Sequence, residues 1–347
     1  MLLLEKVMKC RGLGLAALMF LSFQLCVSQE APKAPASGEL ERELTRLQQG
    51  FPGNMAIYMK NLANGDEIAL DADSVYETFS VIKLAIAAEV LRQSEAGKFS
   101  LTDRVALKAG DRRLPSGVLY ALDPGLQPTV KDLLTLMIII SDNEATDLLA
   151  DKVGRGNVTQ YMRSLGLQKT SIEFSDLDWD RTWLGSLDPA YKMASGDQTI
   201  EFPFGKYGEA KVDEAFRHTI YDAGIYFGHS STRDIGHLLA MMVEGKLVSK
   251  QASSQLLEIM EMQQVNDRFP RYLRDVRIAH KTGDGQPVIA NDAGVLWVNK
   301  MPIVLVVFTG HHRGETAALH DTIARVAALV VEHYGGQIKS DFTPSQR

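Results

Sequence analysis

Apolar positions recur along the chain with two periods, and the places where one period gives way to the other mark the predicted elements. Leu40, Leu44 and Leu47 form one stripe, which predicts an amphipathic helix from about Glu39. Residues 55–59 and 67–70 flank Asn64-Gly65 and predict two antiparallel strands joined by a primed turn. From Ser80 to Leu91 nearly every position is apolar (Val81, Ile82, Leu84, Ala85, Ile86, Ala87, Ala88, Val90), the pattern of a helix buried all round and broken at Gly97. Helical spacing continues over 129–140, 143–153 and 157–165. Residues 167–229 lose it: rich in Asp, Gly and aromatics, they read as irregular, with a short helical stretch at 211–221, and so long a loop inside a domain points to function. Ser231-Thr232 then caps a helix to about Glu244, and 251–262 predicts another. Strands return at 276–281, 293–298 and 303–309, and a last amphipathic helix spans 317–334 before Gly335-Gly336. The predicted fold is therefore α/β (α+β): an antiparallel sheet formed by both chain ends and flanked by helices (about 39–78 and 230–347), with an all-helical insert (about 79–229).

Composition narrows the class. With 45% hydrophobic and 23% charged residues over 347 positions, the chain is neither disordered nor a multi-span membrane protein, and it can bury a sizeable core. A net charge of -6 argues against a nucleic-acid partner. Lys6, Lys9 and Arg11 precede an apolar run over 13–23 that is too short to span a bilayer comfortably, the layout of a secretory signal. Cleavage after Ser28 is expected, placing the mature chain in the periplasm or outside the cell. A lipid anchor on Cys26 is the alternative, and Leu25 is bulky where such signals want a small residue. Cys10 and Cys26 both leave with the leader, so the mature chain has no disulfide, no cysteine metal site and no cysteine nucleophile. Residues 29–38 read as a Pro/Ala tether, and 39–347 as one domain that acts as a monomer without a membrane span.

Three short motifs carry chemistry. Ser80-Val81-Ile82-Lys83 puts a hydroxyl and an amine on one helix face; burial lowers a lysine pKa, and a neutral amine can take the serine proton. Alternatively Ser80 is a helix cap and Lys83 snorkels outward. Ser141-Asp142-Asn143 follows the strongly apolar stretch 133–140, where Ser141 or Asp142 could equally be an N-cap. Lys281-Thr282-Gly283 ends a predicted strand, where an edge lysine before a turn is the plainer reading. Together, in this order and on these elements, they form a strong signal.

On these motifs, together with Asn291-Asp292-Ala293-Gly294-Val295-Leu296-Trp297, the chain resembles the class A serine beta-lactamases over roughly residues 40–335. The resemblance implies a metal-free and cofactor-free hydrolase of small-molecule beta-lactams. It implies Ser80 as acylated nucleophile, Lys83 as proton acceptor and Ser141 as the relay to the leaving nitrogen. It implies Asn143 as partner of the substrate amide and of Lys83, and Lys281 and Thr282 as holders of the substrate carboxylate. Gly283 would let the acyl chain lie against the strand, and the N–H groups of Ser80 and Asp284 would form the oxyanion hole. Arg268, 13 residues before Lys281, stands near where some members carry an arginine that reaches the same carboxylate; a surface cluster with Arg271 and Arg274 is the alternative.

The departure lies in the deacylation loop, where the family carries Glu-x-x-Leu-Asn and this chain has Phe174-Ser175-Asp176-Leu177-Asp178-Trp179-Asp180. Counting from Leu165-Gly166 puts Asp176 at the glutamate, with Asp178, Asp180 and Glu173 as rivals. An EF-hand reading fails because no Gly follows at the sixth position and no Glu at the twelfth. His311-His312 reads as a solvated turn. The segment up to Ser231 is longer than the family pattern, which implies extra material beside the cleft. A cell-wall peptidase or esterase, and a penicillin-binding sensor that stays acylated, remain open alongside hydrolysis.

Overall fold

A computed structural model describes residues 37–342 apart from Gln286. The expected signal, its cleavage site and both cysteines lie outside the described residues, and Ser37 and Gly38 of the expected tether already belong to helix α1 (Ser37–Gly50). Strands β1 (Asn54–Asn61) and β2 (Glu67–Leu70) follow, then the short β3 (Tyr76–Glu77). A helical layer comes next: α2 (Lys83–Glu95), α3 (Val130–Ile139), α4 (Asn143–Val153), α5 (Arg155–Ser164), and, after the short β4 (Ser171–Ile172), α6 (Asp176–Leu187), α7 (Gly196–Ile200), α8 (Phe204–Tyr207) and α9 (Glu209–Arg217). The chain returns through β5 (Gly228–Ser230), α10 (Thr232–Val243), α11 (Lys250–Glu261) and β6 (Leu273–Arg274) to β7 (Arg277–Gly285), β8 (Ile289–Val298) and β9 (Met301–Gly310), and ends in α12 (Thr316–His333) and β10 (Gln337–Ile338).

The main sheet is antiparallel in the order β2-β1-β9-β8-β7, so strands from both ends of the chain meet at the β1–β9 pairing. Its two faces follow from the strand period of two. Ile303, Leu305 and Val307 of β9 join Met55, Ile57 and Met59 of β1 in a core shared with Leu40, Leu44, Ile323 and Val326 of the terminal helices. Val304, Val306 and Phe308 point the other way, into the core of the helical layer. Burial of both faces explains why β9 reads as an unbroken apolar run rather than an alternation. Among the described residues no helix is long and apolar enough to cross a membrane.

Two local expectations differ from the structure. The β1–β2 connection is a longer loop in which Gly65 takes a positive φ of 84° and donates its N–H to Asn61 O at 2.9 Å, while the Asn61 side chain accepts the Ala63 N–H; Asn64 stays at negative φ. The two-residue primed turn is found instead at Asn299-Lys300, both left-handed, between β8 and β9. The stretch 167–229 is not irregular, since it contains α6 to α9. Helix α6 escaped detection because its buried face, Asp176, Trp179, Asp180, Trp183 and Leu184, has helical spacing but carries two carboxylates where apolar residues would have revealed it.

Candidate active site

Ser80 lies on a single 3-10 turn, Phe79–Ile82, that leads into α2. No side-chain capping bond forms at either helix start, which removes the cap reading of Ser80. Phe79 just before it has φ 43°, a left-handed backbone that an aromatic residue rarely adopts unless its surroundings enforce it. The enforcement is visible. Buried Glu77 accepts the N–H of Phe79 at 2.7 Å and of Phe227 at 2.6 Å, and Asn291 Nδ2 donates to the carbonyls of Glu77 and Thr78 at 3.0 and 3.2 Å. The small sheet β3-β5-β4 ties the same segment to the chain on either side of α6 to α9. Burial pushes the Glu77 carboxyl up to about 8 against the pull of these backbone donors.

Lys83 is fully buried and does not snorkel. Its Nζ donates to Ser141 O at 2.7 Å, Ser141 Oγ at 3.1 Å and Asn143 Oδ1 at 2.7 Å. Lys281, also fully buried, donates to the same Ser141 Oγ at 3.0 Å and to Thr282 O at 2.8 Å. Burial is the leading cause that lowers both lysines; for Lys83 the carboxylates of Asp176 and Asp142 pull the other way, and for Lys281 the charge of Lys83 lowers it further. Ser141 itself has φ 58°, and the cap of α4 is Asp142, whose Oδ1 accepts the Ala145 N–H at 3.0 Å.

Strand β7 is the sheet edge, and its C-terminal part at Gly283 and Gly285 approaches the turn that bears Ser80. A Cβ added to Gly283 would stand 2.3 Å from Thr78 O and 3.2 Å from Ser80 N, so only glycine allows this approach. Arg268 is 1% exposed, which excludes a surface cluster. Its Nη1 donates to Asn291 O at 2.7 Å and to Gly283 O at 3.4 Å, and its Nη2 to Asp284 Oδ1. Its charge stands beside Gly283 and Asp284, and both terminal nitrogens of its fork already have protein partners.

Asp176 opens α6 and is 8% exposed, and its Oδ2 has no hydrogen-bond partner. Burial pushes its carboxyl up to about 7; the Lys83 charge opposes this and Asp147 adds to it. Asp180, one turn later on the same face, is raised well above the usual range by burial and then by Asp176, and accepts a 3.3 Å bond from the Trp183 indole. Asp178 points to solvent and is held by Ser175 Oγ at 2.8 Å and Arg181 at 3.0 Å, while Glu173 is more than a third exposed. Ser80, Ser141, Asn143, Asp176, Asp180, Arg268, Thr282 and Asp284 line one cleft of about 1010 Å³, with the two lysine amines behind Ser141. Phe204, Val212 and Phe216, from the segment after α6, border it too.

Sequence reasoning missed several supports. Besides Glu77, Ser116 Oγ donates to Ser141 O at 2.8 Å, and Leu114 O accepts Asn143 Nδ2 at 2.8 Å. Arg113 Nε pairs with Asp147 at 2.6 Å behind Asp176. Glu77, Arg113, Leu114 and Ser116 sit on stretches without period or motif, and Asp147 is a polar position within the helical pattern of 143–153, so no local signal marked any of them.

Residues 39–334 match the beta-lactamase enzyme family. A beta-lactamase of Streptomyces lavendulae is 27% identical over 301 residues, 85% of this chain and 86% of that protein. The structure of a beta-lactamase from Sphaerobacter thermophilus superimposes with a TM-score of 0.68 at 23% identity, covering 87% of this chain and 98% of the other. The structure of PBP-A does so with a TM-score of 0.67 at 22% identity, covering 88% and 98%.

Proposed function

The chain belongs to the beta-lactamase enzyme family as a class A-like serine beta-lactamase, and from that premise we propose that it is exported and opens the beta-lactam ring through an acyl-enzyme on Ser80. The observation that carries the reading is the bridge behind the cleft, Lys83 Nζ to Ser141 Oγ to Lys281 Nζ. When both amines donate, both lone pairs of the Ser141 hydroxyl are engaged, and its own O–H is left for the cleft, where a leaving nitrogen needs a proton.

In the proposed reaction Ser80 Oγ attacks the ring carbonyl as the buried Lys83 amine takes its proton, which depression of the lysine pKa favours. The N–H groups of Ser80 and Asp284 stabilise the oxyanion, consistent with the close approach of β7 at Gly283. The proton passes through Ser141 to the ring nitrogen as the C–N bond breaks. Asn143 orients Lys83 and the substrate amide, and Lys281, Thr282 and the field of Arg268 hold the substrate carboxylate. Asp176 then orients and deprotonates the water that releases the acid.

Replacement of the family glutamate by the shorter Asp176 favours a second reading, acylation followed by slow release. Intact mass during incubation with a penicillin and a cephalosporin separates the two: a transient adduct supports hydrolysis, and a lasting adduct an acylated sensor. No adduct at all would sink both and favour a peptidase or esterase.

A further inference from the structure

The cleft has two chemically distinct ends along β7. Lys281 and Thr282 stand at one. Four residues on, about 13 Å along an extended strand, Gly285 is so close to Phe79 that a Cβ there would fall 2.2 Å from the ring. Phe79 begins a wall of aromatic rings: it stacks on Phe216 at 5.8 Å with planes 10° apart and meets Trp179 edge-on at 5.9 Å, and Phe216 in turn meets Trp183 edge-on at 5.6 Å. All four rings line the cleft. Phe79 is the direct neighbour of Ser80, so the wall is continuous with the reacting centre. Phe216 comes from α9, within the long segment that follows α6, so the wall is not a product of the sheet scaffold alone.

The side chains of ionisable residues that line this end are acidic. Asp180, Glu209 and Asp213 line it, and Arg268, the basic residue among the described lining residues, stands near Gly283 and Asp284 instead. Arg217 is bonded to Asp213 at 2.8 Å and to His312 O at 3.0 Å.

We propose that the wall of Phe79, Trp179, Trp183 and Phe216 seats the acyl substituent of the substrate, and that the enzyme selects beta-lactams whose substituent is a flat aromatic group without negative charge. The proposal deepens the beta-lactam reading of Ser80 and rests on it. Ring-on-ring contact rewards a planar aromatic over an aliphatic group, and the carboxylate of Glu209 at this end disfavours an anionic one.

Binding to the full chain carrying Ser80→Ala, which cannot be acylated, tests this without turnover. Dissociation constants are read from tryptophan fluorescence for benzylpenicillin, its methyl-substituted analogue and α-carboxybenzylpenicillin. Benzylpenicillin is expected to bind about fivefold or more tightly than the methyl analogue and more tightly than the α-carboxy compound. Phe216→Ala and the bulkier Phe216→Leu, each checked for folding by thermal melt, are expected to close the benzyl-to-methyl gap. Equal affinity for benzyl and methyl, no binding of any of the three, or a gap that survives both Phe216 variants would overturn the proposal. Turnover of benzylpenicillin by the unmodified chain is measured in parallel. Discrimination without turnover would remove the hydrolase reading and leave the subsite; turnover without discrimination would do the reverse.

Discussion

Asp147 accepts the backbone N–H of Asp176 at 2.9 Å. The same carboxylate takes the Leu177 N–H at 3.3 Å and the guanidinium groups of Arg113 and Arg155 at 2.6 and 3.2 Å. The first turn of a helix leaves its N–H groups without intrahelical partners. Here Asp147 satisfies two of them and so fixes where α6 begins. Asp176 is thereby presented to the cleft with its Oδ2 unpartnered, as a water-orienting base requires.

Asp176→Asn is therefore expected to acylate at close to the unmodified rate and to accumulate the acyl-enzyme. A base acts only when ionised, and burial raises this carboxyl to about 7. Deacylation of the unmodified enzyme should thus rise with pH through about 7 and level off above it. Single-turnover kinetics on Asp176→Asn, Asp180→Asn, Asp178→Asn and Glu173→Gln decide the matter. Asp178 and Glu173 face solvent, so their variants should release product normally. Wild-type release by Asp176→Asn would assign the base elsewhere.

Glu144 is buried outside the cleft, and burial followed by the charge of Asp142 raises its carboxyl from 4.5 to about 8. Between those values the folded chain holds a proton that the unfolded chain releases, so stability is fully present below about pH 4.5 and is lost as pH rises towards 8. Glu144→Gln, which imitates the protonated form, should melt near the unmodified temperature at pH 4.5 and above it at pH 8. Melting curves across that range would show a constant difference if the carboxyl were ionised throughout.

Gly283→Ala would place its methyl group 2.3 Å from Thr78 O, a contact that backbone atoms relieve only by moving apart. The movement separates β7 from Ser80 N, and a displacement of about 1 Å at a reacting centre lowers rates by on the order of 10²-fold. Stopped-flow acylation should show that loss, with the melting temperature far less affected. Acylation at the unmodified rate would mean that β7 does not help to form the oxyanion site.

Lys281→Ala should reduce acylation by carboxylate-bearing beta-lactams much more than by their neutral esters, because a charge-assisted bond is lost only with the former. Equal losses for acid and ester would assign Lys281 to Ser141, which it already contacts at 3.0 Å, rather than to the substrate.

Much of this architecture was legible in the chain. The stripe of Leu40, Leu44 and Leu47, the all-round apolar helix after Ser80, and strand β9 appear close to their expected limits, while β7 and β8 each run four residues further than expected, to Gly285 and from Ile289. They were legible because helix and strand periods are relations between near neighbours. Helix α6 was not, because Asp176 and Asp180 on its buried face break the apolar count that reveals a helix.

The same division holds for the site. Sequence alone determined the spacing of Ser80 and Lys83, the position of Ser141-Asp142-Asn143 after an apolar helix, and a strand that carries Lys281-Thr282-Gly283, although that strand runs on to Gly285 instead of ending at the motif. It left Asp176, Asp178 and Asp180 as rivals, since alternate positions look alike until the helix phase assigns one to solvent and two to the cleft. Only the tertiary structure decided that Lys83 and Lys281 share Ser141, that Glu77 and Asn291 hold the turn bearing Ser80, that Arg268 is buried, and that Phe216 stacks on Phe79. Each of these joins residues that are distant along the chain, and contact through space leaves no spacing in the sequence from which it could be read.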